Sequence, residues 1–199
     1  MLRFLAKPAK SPDLSGEVGR AALWGSRINA FELRLVRVTA RSADTPARKK
    51  LAVLFSKLGN GWLYPLLFVV LVARWGLFSL RIATPAIVNA ALLHAIYPLL
   101  KARCARRRPF QVDRSLNSLL DVLDQHSFPS GHAMTVSGVL TPVVMMWPES
   151  LFSALFVGCG IAWSRIASAH HYPSDVIAGT ILGIGIGYPI ASLVISIMS

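Results

Sequence analysis

The sequence predicts an all-α polytopic membrane helix bundle, and three observations carry that prediction. Hydrophobic residues make up 54% of the 199 and charged residues only 15%, for a mean hydropathy of +0.53. Soluble domains average about a quarter charged, so a soluble enzyme would have to expose apolar surface that water does not tolerate. Five apolar stretches follow residue 61, and the basic residues are segregated from them. The expected organisation is a basic amphipathic membrane-surface segment, 1–61, and a transmembrane domain, 62–199.

Residues 1–61 mix Pro8, Pro12 and Pro46 with scattered charge, and no stretch there approaches the ~20 apolar residues needed to span a bilayer. Met1 to Ala6 is too short for the apolar region of a secretory signal. Ser26 to Arg41 reads as an amphipathic helix lying in the interface, and Thr45-Pro46 opens a second that runs through Leu58. Gly59-Asn60-Gly61 closes it at the membrane entry. The predicted spans are Trp62 to Leu80, Ile82 to Leu100, Ala133 to Trp147, Leu151 to Trp163 and Val176 to Met198. The third and fourth are short alone and extend into Phe128 to His132 and Ser164 to Ala169. Gly179, Gly183 and Gly187, four apart, share one face of the last helix and permit close approach of a neighbour.

A net charge of +12 in a soluble chain would suggest nucleic acid, but twelve of the 21 basic residues lie in 1–61 and six more between Lys101 and Arg114. A basic segment ahead of apolar spans is instead drawn to anionic lipid, at roughly 1 kcal/mol per cation near the surface. No nucleic-acid partner is expected. Cys104 and Cys159 stand apart with no paired spacing and no Cys/His cluster, so neither a disulfide framework nor a zinc site is indicated.

Ionisable side chains at membrane depth are costly unless they are paired or face a polar cavity, which makes them functional signals. Three clusters qualify: Lys101 through Arg108-Pro109, Phe128-Pro129-Ser130-Gly131-His132, and Ser164-Arg165 with His171 and Asp175. Counting spans puts all three on one side of the membrane. Together they suit a phosphate ester. Lys101, Arg108 and Arg165 neutralise phosphoryl oxygens, the arginines with bidentate geometry. Ser130 and the amides of Gly131 and His132 sit at a helix N-terminus that favours an anion. His171 is suited to attack phosphorus, Asp175 to hold its far ring nitrogen in the right tautomer, and His132 to protonate the leaving alcohol. No metal or other cofactor is required. Taken singly, the basic loop reads as a solvated membrane edge, Pro-Ser-Gly-His as an ordinary helix start, and His171 with Asp175 as a helix-cap pair; their coincidence on one side defeats these readings.

Lys101 with Arg108-Pro109, Pro129 to His132, and Ser164-Arg165 with His171 and Asp175 match in order and spacing the motifs of the type 2 phosphatidic acid phosphatase (PAP2) family, which the chain resembles over about residues 51–199. The resemblance implies a membrane lipid phosphatase acting on a lipid phosphomonoester or diphosphate that enters sideways from the bilayer. It selects His171 over His170 as a nucleophile that becomes phosphohistidine, makes His132 the acid, and needs no metal. Phosphatidate, phosphatidylglycerol phosphate and polyprenyl phosphates or diphosphates are candidate substrates. The expected location is the bacterial inner membrane. Transfer of the phosphoryl group to another lipid or glycan, or a non-catalytic lipid-binding role, are the alternatives; the latter needs a lost catalytic residue, and none is missing. Soluble vanadate-dependent haloperoxidases share the pocket, but five apolar spans oppose that use. Family members commonly have six spans with catalytic loops on the outer face. Here five are read, and the N-terminal cations would share the active-site side, which the positive-inside rule assigns to the cytoplasm, so both faces stay open.

Overall fold

The computed structural model describes residues 29–122 and 124–198, and these are almost entirely helical. The first 28 residues of the predicted surface segment, including the Ser26 to Ile28 start of its first helix, lie outside them. Glu32–Ser199 forms one compact unit. Helix α1 covers 29–41 and α2 covers Pro46–Lys57, capped by the Thr45 hydroxyl, which accepts from the Arg48 amide at 3.4 Å. From Glu32 onward α1 belongs to the compact unit, burying Val36 with Leu116, Ala169 and Tyr172 and leaving Leu35 and Val38 exposed. The second predicted surface helix, α2, packs against the rest of the unit. It buries Ala52 and Ser56, and the Phe55 ring lies against Gly160.

Gly59-Asn60-Gly61 forms a wide turn, Leu58–Trp62, in which Asn60 (φ −82°, ψ 15°) and Gly61 (φ 118°) leave the helical region. The first predicted span is not one helix. It is α3, Leu63–Trp75, followed by a tight turn, Gly76–Ser79, because Gly76 takes φ 56°, ψ −131°, which a side chain disfavours. Helix α4, Leu80–Cys104, returns antiparallel to α3: Leu71 meets Ile82 near the turn, while Tyr64 and His94 line one groove farther along. A short α5, Pro109–Val112, precedes α6, Gly131–Met146; α7 is Leu151–Ala167 and α8 is Pro173–Ile197. Among the described residues, the helical stretches Pro46–Cys104, Pro148–Ala167 and Pro173–Ile197 are long and apolar enough to cross a membrane, and α6 is a shorter apolar helix.

Helix α6 is central, packed chiefly against α8 and α4. A Cβ at Gly183 would collide with the Met134 carbonyl and the Ser137 hydroxyl, and one at Gly179 would stand 2.5 Å from the Ser130 carbonyl oxygen. The glycine face of the last helix is therefore seated on α6, as its spacing predicts. Asn89 ties three helices by donating to the carbonyls of Gly138 (2.9 Å) and Gly187 (3.0 Å) from α4.

Candidate active site

Three chain reversals build the site. Helix α4 ends on Ala105 in the left-handed region (φ 46°, ψ 30°), which turns the chain between Lys101 and Arg108. The Ser127 amide then donates to the Arg106 carbonyl at 2.8 Å, laying the basic segment beside the approach to α6. At the end of α7 the amides of His170 and His171 both reach back to the Arg165 carbonyl (3.2 and 3.3 Å), and the Ser130 amide donates to the Asp175 carbonyl at 3.0 Å. The last bond joins the beginnings of α6 and α8.

These reversals enclose a cavity of about 500 Å³ lined by Lys101, Arg108, Gly131, His132, Arg165 and His171, together with Ser56, Asn60, Tyr64, Tyr97 and Asp124. Two of the predicted site residues do not line it. The Ser130 hydroxyl caps α6, accepting from the Ala133 amide at 3.5 Å, and Asp175 is fully buried behind His171. His170 turns the other way, its Nε2 donating to the Leu120 carbonyl at 3.1 Å with Ser118 Oγ at 2.6 Å.

Cations dominate the walls. Arg108, 2% exposed, donates to the carbonyls of Asp124 (3.1 Å) and His170 (3.0 Å) and to Asp124 Oδ1 (2.8 Å). Lys101 Nζ reaches Asp124 Oδ2 at 2.7 Å. One carboxylate thus bridges two like charges that would otherwise repel one another in a poorly solvated place. Burial pushes the Asp124 carboxyl up, but the Lys101 hydrogen bond and the charges of Lys101 and Arg108 outweigh it and hold it below the ordinary value. Arg165 donates to Ser56 Oγ at 2.7 Å, and its buried Nε has no hydrogen-bond partner among the described residues.

His171 Nδ1 lies 2.7 Å from the Ser127 carbonyl, an acceptor only, so Nδ1 carries the proton and Nε2 the lone pair. The sequence reading gives this orienting role to Asp175, but Asp175 Oδ2 is 3.7 Å from Nδ1, and its oxygens are held by Arg106 (Oδ1, 2.6 Å) and the Tyr172 amide (Oδ2, 2.8 Å). The Asp175 carboxylate therefore stands beside His171 without a direct hydrogen bond to it. Burial, then Arg165 and Arg108, push the His171 imidazole well below its ordinary pKa, which keeps it neutral and nucleophilic. His132 Nε2 donates to Asn60 Oδ1.

Six of these residues escape the sequence reading, Tyr64 and Tyr97 because they lie within apolar helices. Ser56 and Asn60 lie in segments that show only helix and helix-end signals, and Ser127 contributes a carbonyl, which no side-chain motif encodes. Asp124 carries a faint signal as a carboxylate in the short connection between two clusters rich in cations and histidine.

A family model described as the PAP2 superfamily matches residues 82–197, more than half of the chain. The chain belongs to the PAP2 superfamily. Among curated relatives, the chain is 34% identical over 109 residues to decaprenylphosphoryl-5-phosphoribose phosphatase of Mycobacterium tuberculosis, covering 50% of this chain and 54% of that protein. It is 28% identical over 144 residues to undecaprenyl-diphosphatase of Sulfolobus acidocaldarius, covering 69% of this chain and 66% of the relative. The match therefore spans about half the length of the mycobacterial protein and about two thirds of the archaeal one. In fold the chain is similar to LpxE of Aquifex aeolicus (TM-score 0.68, 23% identity, 80% of this chain and 94% of that one). It is likewise similar to the transmembrane PAP2 type phosphatidylglycerolphosphate phosphatase of Bacillus subtilis (TM-score 0.68, 19% identity, 87% and 89%). The apolar helices and this shared fold make the chain an integral membrane protein.

Proposed function

We propose that this protein is a membrane lipid phosphatase that cleaves a lipid phosphomonoester or diphosphate through phosphohistidine. The observation that supports it is one cavity in which Lys101, Arg108 and Arg165 surround the two histidines the chemistry needs. His171 Nε2 attacks phosphorus, the bond from phosphorus to the lipid oxygen breaks, and His132 gives that oxygen its proton. Water then attacks the phosphohistidine, its proton passing to His132, and phosphate leaves with His171 restored. The three cations offset the charge that develops on the equatorial oxygens in both steps, and the Gly131 and His132 amides add the α6 N-terminus. In this reading Asp175 stabilises the charged phosphohistidine, and Ser130 contributes by fixing the start of α6.

An apolar groove of about 470 Å³ between α3 and α4 shares Tyr64 and His94 with the cavity. It suits the hydrocarbon of a substrate whose head group lies among the cations and whose chain stays in the bilayer. Two curated relatives are named for prenyl-linked substrates, which favours polyprenyl phosphates and diphosphates over diacyl lipids. The test is phosphate release by the purified protein in detergent with EDTA across phosphatidate, phosphatidylglycerol phosphate and polyprenyl mono- and diphosphates. Turnover of at least one lipid in EDTA, inhibited by orthovanadate, is expected. Loss of all turnover in EDTA with recovery in magnesium would contradict the mechanism, because the cations already supply the charge that a divalent ion provides elsewhere.

A further inference from the structure

Glu32 is the one acidic residue in 26–41, a stretch otherwise marked by arginines, and it is only 6% exposed. A buried carboxylate needs partners, and the nature of these connects α1 to the catalytic end of α8. Glu32 Oε2 accepts from an Arg106 nitrogen at 2.6 Å and Oε1 from the Ser174 amide at 2.8 Å. The same guanidinium donates to Asp175 Oδ1 at 2.6 Å and to Ser174 Oγ at 2.8 Å, and it lies 3.9 Å from the centre of the Tyr172 ring. Asp175 in turn stands 3.7 Å from His171 Nδ1. Farther along α1, Arg37 Nε pairs with Asp113 at 2.6 Å and Val36 is buried against Tyr172, so the helix is held at three points.

The charges make this more than an attachment. Arg106 fixes the orientation of the Asp175 carboxylate, but a cation bonded to that carboxylate also cancels its field at His171, where a positively charged phosphohistidine must form. Glu32 offsets Arg106. Among the described residues, Glu32, Arg106 and Asp175 together then present one net negative charge to the proposed nucleophile while keeping Asp175 rigidly placed. We propose that Glu32, acting through Arg106, is a positioning residue for the Asp175–His171 pair, so that α1 completes the active site from outside the 82–197 region that matches the PAP2 model. The proposal rests on the phosphatase reading above.

Glu32→Gln separates charge from attachment, because the amide oxygen still accepts from Ser174 while the negative charge is gone. It should lower kcat on the lipid substrate about tenfold, in the range seen when groups that orient a functional histidine are removed, with KM unchanged. Glu32→Asp, which keeps the charge, should recover most of that loss. Wild-type kcat in Glu32→Gln, or an equal loss in the Asp variant, would overturn the proposal, as would a loss that merely tracks the folded fraction measured by size-exclusion chromatography. If the wild-type protein releases phosphate from no lipid, the phosphatase reading fails by itself. The relay is then judged by hydrogen exchange at the Tyr172 amide, which bonds Asp175: faster exchange in Glu32→Gln upholds it, and unchanged exchange refutes it.

Discussion

In the middle of the bundle α6 and α8 approach through the absence of side chains, whereas beside their joined N-termini charged side chains from other segments crowd around a cavity. Gly183 leaves no space between its backbone and Met134, and Asn89 stitches the contact by bonding two carbonyls. A few turns away, Arg106, Arg108, Lys101 and Arg165 are accommodated by carboxylates, carbonyls and a cavity. The first region gets its rigidity from packing that lipid cannot loosen. The second gets it from paired charges, and it leaves one volume unfilled for an anion. Catalytic geometry here depends on both, because the Ser130 amide to Asp175 carbonyl bond lies where one region becomes the other.

The largest effect that would sharpen the contrast is loss of the proposed nucleophile. His171→Ala should cut lipid turnover by roughly a thousandfold or more with the helices intact, while His170→Ala, facing the 118–120 loop, should keep most activity. Reversed results in a phosphate-release assay would exchange the roles of the two histidines. In the packed region the expected damage is to folding rather than chemistry. Gly183→Val should cost about 3 kcal/mol, because the added carbons meet backbone that does not yield. A variant with wild-type melting behaviour would show that α6 and α8 are not held by this contact.

Next in size is His132→Ala, expected to lose about a hundredfold on a lipid alcohol leaving group but under about tenfold on p-nitrophenyl phosphate, whose leaving group needs little protonation. Equal losses on the two substrates would remove His132 from the acid role. The smallest effect concerns His170. Burial, then Arg165 and Arg108, lower its imidazole from 6.5 to about 3. Between those values the unfolded chain binds a proton that the folded protein refuses, so this group takes stability away as pH falls through 6.5 and contributes no such loss above it. His170→Gln should therefore soften the fall in melting temperature between pH 6.5 and 4 by about 2 to 4 °C, and an unchanged slope would mean that other groups set the acid sensitivity.

Much of the site is legible in the sequence because its residues come in short runs with fixed spacing. Lys101 to Arg108, Pro129 to His132 and Arg165 to Asp175 each lie within a turn or two of a helix end, where local geometry decides direction. The split of the first span is less legible, since Gly76 sits in an apolar stretch that reads equally well as continuous helix. Glu32 and Ser56 lie on helices whose pattern announces only a surface role, and their partners, Arg106 and Arg165, are 74 and 109 residues away.

By itself the sequence determined that the chain is helical and apolar, that its cations avoid the apolar stretches, and that Lys101, Arg108, His132, Arg165 and His171 belong to one site, which the structure gathers around a single cavity. Composition and spacing are local properties, and a bilayer converts them directly into helices and ends. The tertiary structure alone decided which neighbour each of those residues obtains. His171 is oriented by the Ser127 carbonyl 44 residues earlier, Lys101 is balanced by Asp124 23 residues later, and Asp175 is governed by Arg106 and so by α1. Such partners are brought together by the paths of loops and the packing of helices, and a burial penalty that no local pattern reports makes each pairing obligatory.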